Sequence, residues 1–211
     1  MSATLRFAIG LSLAMHFFGA LAMCWEVSRP IFLALTPLNL LLSAAGLLFF
    51  QDRKNYGQFL KYFGTIALLG YLVEVAGVQT GAIFGQYTYG TPLGPKLWDV
   101  PPLIGLNWAI LVVLVGRWVV RLRWNPWLAS SLSALLLVLM DVLIEPVAIS
   151  LGWWTWAQES VPLQNYAAWY VIAWAFAWLY FRARLPAGNP FANALLAGQL
   201  IFFVLYNLLG R

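Results

Sequence analysis

Three carboxyl side chains fall where water is scarce. Glu74, Asp141 and Glu145 lie inside long apolar runs, while Glu26, Asp52, Asp99 and Glu159, the other four of the seven acidic residues, lie in loops or at the edges of runs. A charged side chain at the centre of a lone membrane helix costs about 3 kcal/mol on insertion scales, so such groups face a bundle interior, a partner or water and usually mark function. Asp141 and Glu145 are spaced i, i+4 and share one helix face. Pro146 removes a helical N–H, frees the carbonyl of Val142 and predicts a kink that turns Glu145 into a cavity. No Lys or Arg is expected in the core of any run to pair with the three acids. Burial without a cation favours the neutral carboxyl in general, and carboxyls in different surroundings can divide acid and base roles. The pattern therefore points to general acid–base chemistry, against the plainer reading of hydrogen-bonded ties between helices.

Other polar groups gather near the same acids. A Gly- and Tyr-rich loop follows Glu74 and carries Tyr87 and Tyr89; Asn107 and Trp108 open the next run, and Asn165 opens a later one. Nine aromatic residues crowd this side: Tyr87, Tyr89, Trp98, Trp108, Trp153, Trp154, Trp156, Tyr166 and Trp169. For most of them the expected arrangement is an interfacial belt, with some rings lining an apolar pocket where they would stabilise a cation. Gly77, Gly81, Gly85 and Gly90 lack the strand context and Lys of a phosphate loop, and fit close packing or a re-entrant turn. His16, midway along the first run, reads as a hydrogen-bonded core residue. Asn193, Gln199 and Asn207 read as interhelical links or pocket lining.

The elements that hold these groups follow from composition. The 211 residues are 63% hydrophobic and only 9% charged, with mean hydropathy +0.80, against roughly 25% charged in soluble domains. Repeated continuous apolar runs predict membrane-spanning helices. About seven are expected, near 5–25, 30–50, 59–78, 102–120, 126–151, 164–181 and 190–209, with Pro37 kinking the second. They form an all-α integral membrane bundle, a single transmembrane domain over 1–211, with the first run retained as a helix and not removed as a signal peptide. Counting back from Gly152 at about 1.5 Å per residue puts Asp141 roughly 16 Å deep. One cysteine, Cys24, excludes an internal disulfide, and one histidine excludes a His-cluster metal centre. The net charge of +5 reflects basic loops and not nucleic-acid binding. Nine basic residues, counting Arg117, Arg121 and Arg123 as one loop, fall on one side, and Arg29, Lys96 and Arg211 on the other. That bias sets the N-terminus in the cytoplasm. Glu74, the 79–101 loop, Asn107, Glu145 and Asn165 then collect in the outer leaflet.

These residues also carry a resemblance. Glu74-x-x-Gly77-x-x-Thr80-Gly81-x-x-Phe84-Gly85-x-Tyr87-x-Tyr89, then Val100-Pro101 and Asn107-Trp108, resembles the carotenoid biosynthesis membrane-protein family that includes the carotenoid 1,2-hydratases of the CruF type. Asp141-x-x-x-Glu145-Pro146, Gly152-x-Trp154-x-Trp156 and Val161-Pro162-x-x-Asn165-Tyr166-x-x-Trp169 continue it in the same order, over about residues 70–170. The resemblance implies cofactor-free hydration of a terminal C=C of γ-carotene, lycopene or a C50 relative in the bacterial inner membrane, with no metal. Asp141 would give the proton, Glu145 or Glu74 would orient or deprotonate the water, and Asn107 and Asn165 would hold that water or the carboxylates. Tyr87, Tyr89, Trp108, Trp154, Trp156 and Trp169 would line the substrate site. The implied partners are the carotenoid and membrane lipids, with self-association or association with other carotenoid enzymes left open. The competing readings are an acid-catalysed carotenoid cyclase, a non-catalytic isoprenoid or lipid binder, and a structural subunit.

Overall fold

The computed structural model describes residues 1–158, 160–185 and 188–210; Glu159 and Arg211, placed above among the loop acids and the outer cations, lie outside these. Eight α-helices follow in order among the described residues: α1 (Ala3–Cys24), α2 (Arg29–Ala34), α3 (Thr36–Phe49), α4 (Tyr56–Thr80), α5 (Leu103–Val119), α6 (Pro126–Ser150), α7 (Leu163–Arg182) and α8 (Pro190–Leu209). Two three-residue strands, β1 (Tyr87–Tyr89) and β2 (Trp154–Trp156), join the α4–α5 and α6–α7 connections. Side-chain caps start several helices: Asn125 accepts from Leu128 N–H at 3.1 Å and Asn189 from Ala192 N–H at 3.3 Å, in each case just ahead of a proline in the first turn.

Five helical segments are long and apolar enough to cross a membrane: Ala3–Cys24, Arg53–Thr80, Leu103–Leu122, Pro126–Ser150 and Pro190–Leu209. Length and apolarity thus support five crossings among the described residues, short of the seven expected. The α7 helix has the length, 20 residues, but its Gln, Asn, Tyr and Trp content dilutes the apolarity. The expected 30–50 span is two helices broken at Leu35. Pro37 lies in the first turn of α3, where its missing N–H belongs to the unpaired first turn, so it starts a helix where a kink was expected. Pro146, by contrast, leaves α6 continuous. Next to it, Asn207 of α8 donates to the Leu143 carbonyl at 2.8 Å.

The α5 helix is the hub. Its sequence is apolar apart from Asn107 and Arg117, as suits a largely buried helix, and it touches α3, α4, α6, α7 and α8. The α1–α8, α6–α7 and α4–α5 pairs are the most extensive contacts. Glycines set the closest of these. A Cβ on Gly105 would lie 2.2 Å from the Ala67 carbonyl oxygen, and one on Gly70 would lie 2.7 Å from Trp108 Cβ. The α4 and α5 backbones therefore meet where a side chain would hold them apart. Arg117 corrects a sequence expectation. It is not in a loop but fully buried in the last turn of α5, where it donates to Gln51 and lies over the Phe59 ring at 5.2 Å.

Candidate active site

Gly81, in the left-handed conformation at φ +64°, ends α4, and Gly85 at φ +107° turns the chain back as β1. A residue with a Cβ adopts these angles poorly. The strand pairs antiparallel with β2 in the register Tyr87↔Trp156, Thr88↔Thr155, Tyr89↔Trp154. Alternation then fixes the faces: Thr88 and Thr155 point outward, and Tyr87, Tyr89, Trp154 and Trp156 point into the bundle. Backbone bonds from Gly90 N–H to Trp153 O (2.8 Å) and Ala157 N–H to Gln86 O (2.9 Å) extend the pairing at both ends.

The inward side chains meet the acids. Glu74 Oε2 accepts from Tyr87 Oη at 2.5 Å and Tyr89 Oη at 2.7 Å, and its Oε1 accepts from Trp108 Nε1 at 2.8 Å. Glu145 Oε2 accepts from Trp154 Nε1 and Trp156 Nε1, both at 3.0 Å. The Asn165 amide bridges the pair on α6, donating to Asp141 Oδ2 at 2.9 Å and Glu145 Oε1 at 3.3 Å. Asp141 Oδ1 is buried with no hydrogen-bond partner among the described residues. All three carboxyls are buried, Asp141 completely, and every donor reaching them is neutral. The environments are unequal: each glutamate is ringed by three donors, Asp141 by one. Burial first, and then the adjacent Glu74, push the Tyr87 and Tyr89 phenols well up, which keeps both as donors.

These groups surround a cavity of about 30 Å³. Its wall includes all eleven site residues expected from the sequence: Glu74, Tyr87, Tyr89, Asn107, Trp108, Asp141, Glu145, Trp154, Trp156, Asn165 and Trp169. Trp169 stacks on Trp108 with ring centroids 4.0 Å apart. The wall also includes Phe84, Ile104 and Ile144. The latter two had no signal beyond apolarity. The small cavity adjoins a larger one of about 190 Å³, with Ile104, Asn107, Ile144 and Trp154 on both walls. Among the described residues, nothing hydrogen-bonds the Asn107 side chain at this junction. The larger cavity is mostly apolar. Leu35 and Leu38 on its wall are 44% and 49% exposed and sit at the α2–α3 break.

Two sequence expectations are revised here. Seven of the nine aromatics assigned mainly to an interfacial belt are buried: Tyr87, Tyr89, Trp108, Trp153, Trp154, Trp156 and Trp169. Five of these seven hold a carboxylate through an O–H or N–H, a need that composition does not reveal. His16 has the hydrogen bond expected of a core residue, Nδ1 to Ser12 O at 2.7 Å, but also lines the larger cavity with Thr36, Asn39 and Gln199. Polar residues inside apolar runs were the only available signal for that wall.

Long apolar helices closed over converging, neutrally solvated carboxyls define a multi-pass helical membrane protein with an interior acid site. The chain matches the carotenoid biosynthesis protein family over residues 35–209 and belongs to it. It is 34% identical over 116 residues to a bisanhydrobacterioruberin hydratase of Haloarcula japonica, a match covering 49% of this chain and 38% of that relative. The chain thus aligns with well under half the length of that relative. No solved structure matches it.

Proposed function

We propose that the protein is a carotenoid hydratase that adds water across the terminal C=C of an acyclic carotenoid end, as in γ-carotene, lycopene or a C50 relative. The observation that supports this most directly is the meeting of three buried carboxyls with unequal donor sets beside a larger, mostly apolar cavity. The hydratase named for the Haloarcula relative supports the same reading.

In this reading the end group passes through the larger cavity with its reacting C=C at the junction with the smaller one, where Asp141, Trp108 and Trp169 lie, and the rest of the chain leaves past Leu35 and Leu38 into lipid. About 190 Å³ is below the roughly 300–1,000 Å³ of sites that enclose whole ligands, which suits a ligand bound by one end. The smaller cavity, about 30 Å³, holds about two waters at roughly 10–15 Å³ each. Asp141, with the fewest donors, gives its proton to the less substituted alkene carbon. The C=C electron pair forms the new C–H bond and leaves a tertiary carbocation. The surrounding rings, Trp108 and Trp169 among them, stabilise that charge. A water held by Asn107 and Glu145 or Glu74 bonds to the cation through its oxygen and loses a proton to the glutamate, giving a tertiary alcohol. The proton returns to Asp141 through the cavity water. This is general acid–base catalysis in a preorganised site. The reading sets residues 1–211 as one transmembrane unit of the bacterial cytoplasmic membrane, with α2–α3 and α7 crossing as well as the five apolar segments, so that the N-terminus is inside and Glu74 and Glu145 lie in the outer leaflet.

Expression in a cell that makes lycopene or γ-carotene, followed by pigment mass analysis, tests the proposal. The expected product is heavier by one water. A rearranged pigment of unchanged mass would mean capture of the cation by an internal C=C, hence cyclisation. Unaltered pigment would leave a binder or a structural subunit.

A further inference from the structure

At the end of α4 opposite Glu74, two basic segments far apart in the chain meet. Gln58 Nε2 of α4 donates to the Ala183 carbonyl at 2.7 Å. Ala183 caps α7 between Arg182 and Arg184, and Gln58 comes just after Arg53 and Lys54. The bond therefore draws four exposed cations to one seam. Asp52 is the only acid within residues 50–61 and 178–185, and its Oδ1 accepts from the Lys54 backbone N–H at 3.0 Å. Among the described residues, no carboxylate pairs with Arg53, Lys54, Arg182 or Arg184. Arg53 lies over the Tyr56 ring at 5.5 Å and Arg182 over the Trp178 ring at 5.4 Å. A ring supports a guanidinium without using up its N–H donors, which stay available to an anion.

The ends of membrane helices lie at the depth of lipid headgroups, where Lys, Arg, Tyr and Trp are favoured. A general bias of basic loops to one side asks only for cations there. It does not ask that two loops be tied by a hydrogen bond into one cluster without an acid. Exposed leucines adjoin the cluster on its apolar side, Leu60 of α4 at 45% and Leu179 of α7 at 36%. A free phosphate ion makes no use of them. An amphiphile covers them with its acyl chains while its phosphate meets the cations. We propose that Arg53, Lys54, Arg182 and Arg184 bind the headgroup of an anionic phospholipid at the α4–α7 seam. A zwitterionic head brings an ammonium that these four cations repel, so the site selects a phosphodiester whose charge is not balanced within the lipid. The inference stands apart from the hydratase reading and uses none of the acid-site residues.

Native mass spectrometry of the full-length protein in detergent tests it, with phosphatidylglycerol and phosphatidylcholine of matched acyl chains as the probes. The native protein is expected to bind phosphatidylglycerol about tenfold more tightly, the effect of one or two cations at a lipid surface. Arg182→Gln/Arg184→Gln should narrow that ratio to about threefold or less, and so should Arg53→Gln/Lys54→Gln. Arg6→Gln/Arg123→Gln removes the same charge from elsewhere in the chain and should leave the ratio unchanged. Equal affinity for the two lipids in the native protein overturns the proposal. So does a ratio that survives both seam variants. An equal loss in the Arg6/Arg123 variant also overturns it, since the attraction would then follow net charge and not a site. Displacement of the lipid by inorganic phosphate at equal concentration overturns it as well, being the mark of a free-ion site. If one seam variant fails to fold, the other decides.

Discussion

Tyr87 and Trp156 face each other across the two-stranded ladder, ring centroids 5.0 Å apart, yet they serve different acids. Tyr87 donates to Glu74 of α4 and Trp156 to Glu145 of α6. A six-residue sheet at one end of the bundle thus sets two carboxylates on separate helices into one geometry. Tyr87→Phe and Trp156→Phe each delete one donor. Removing a donor to a buried charged group costs about 1–3 kcal/mol, so turnover should fall roughly tenfold to hundredfold for each. Because the rings touch, the double variant should depart from additivity by more than about 0.5 kcal/mol. Initial rates of pigment conversion for the four proteins of the cycle measure this; strict additivity would mean that the ladder does not couple the acids.

Asp141 holds the fewest donors and is fully buried, which suits the proton donor. Asp141→Asn keeps the shape and removes the transferable proton, so hydration should fall by about 10²–10⁴, the usual share of a general acid. Glu74→Gln and Glu145→Gln should also lower turnover, since each replaces an acceptor oxygen with a donor facing O–H or N–H groups. Product formation by the three purified variants, with folding checked by circular dichroism, is the measurement. Full activity in all three would sink the site.

Much of this site was legible because lipid makes acids conspicuous. Glu74, Asp141 and Glu145 stand out in apolar runs, and the i, i+4 spacing of the last two puts them on one helix face. The ladder was harder to see. Tyr87-Thr88-Tyr89 and Trp154-Thr155-Trp156 both alternate with a period of two, but three residues are too few to announce a strand, and their pairing spans nearly seventy residues of chain. The tryptophans were assigned mainly to a belt because sequence records how many indoles there are and not which acceptor each N–H finds. Arg117 sits near Arg121 and Arg123 in sequence, so it read as loop; the Gln51 oxygen and the Phe59 face that let it be buried come from other elements. His16 and Gln199 lie on helices at opposite ends of the chain, and the α1–α8 contact brings both to the wall of the larger cavity.

The phenols lend themselves to a pH test. Tyr87 and Tyr89 lie in the loop strand, and burial with Glu74 alongside raises both above the ordinary value of about 10. A raised folded value contributes stability that is complete below the unfolded value and is lost as pH climbs above it. The unfolding midpoint should therefore be insensitive to these two groups up to about pH 9 and fall above about pH 10. The Tyr87→Phe/Tyr89→Phe double variant should start lower and fall less steeply. Thermal melts across that range, read alongside phenolate absorbance, check it. An equally steep alkaline fall in both proteins would show that other groups control it.

Packing between α4 and α5 makes a separate demand. Gly105→Ala would set a methyl carbon 2.2 Å from the Ala67 carbonyl oxygen and 2.7 Å from Tyr71 Cβ. The nearest obstacle is backbone, so the helices must part, at about 1–3 kcal/mol for overpacking. That movement also pulls Trp108, three residues on, from the Glu74 oxygen it holds at 2.8 Å. Stability and turnover should therefore fall together. Gly10→Ala on α1 is the control: its added carbon meets nothing within 4 Å. Alanine there should be neutral or stabilising by about 0.5–1 kcal/mol, since glycine in a helix interior loses more chain entropy on folding. Melting temperatures in one detergent, with turnover at a fixed temperature below both, separate the cases. A Gly105→Ala protein that melts with the native one would show that the α4–α5 contact yields, and that Glu74 owes its position to the ladder alone.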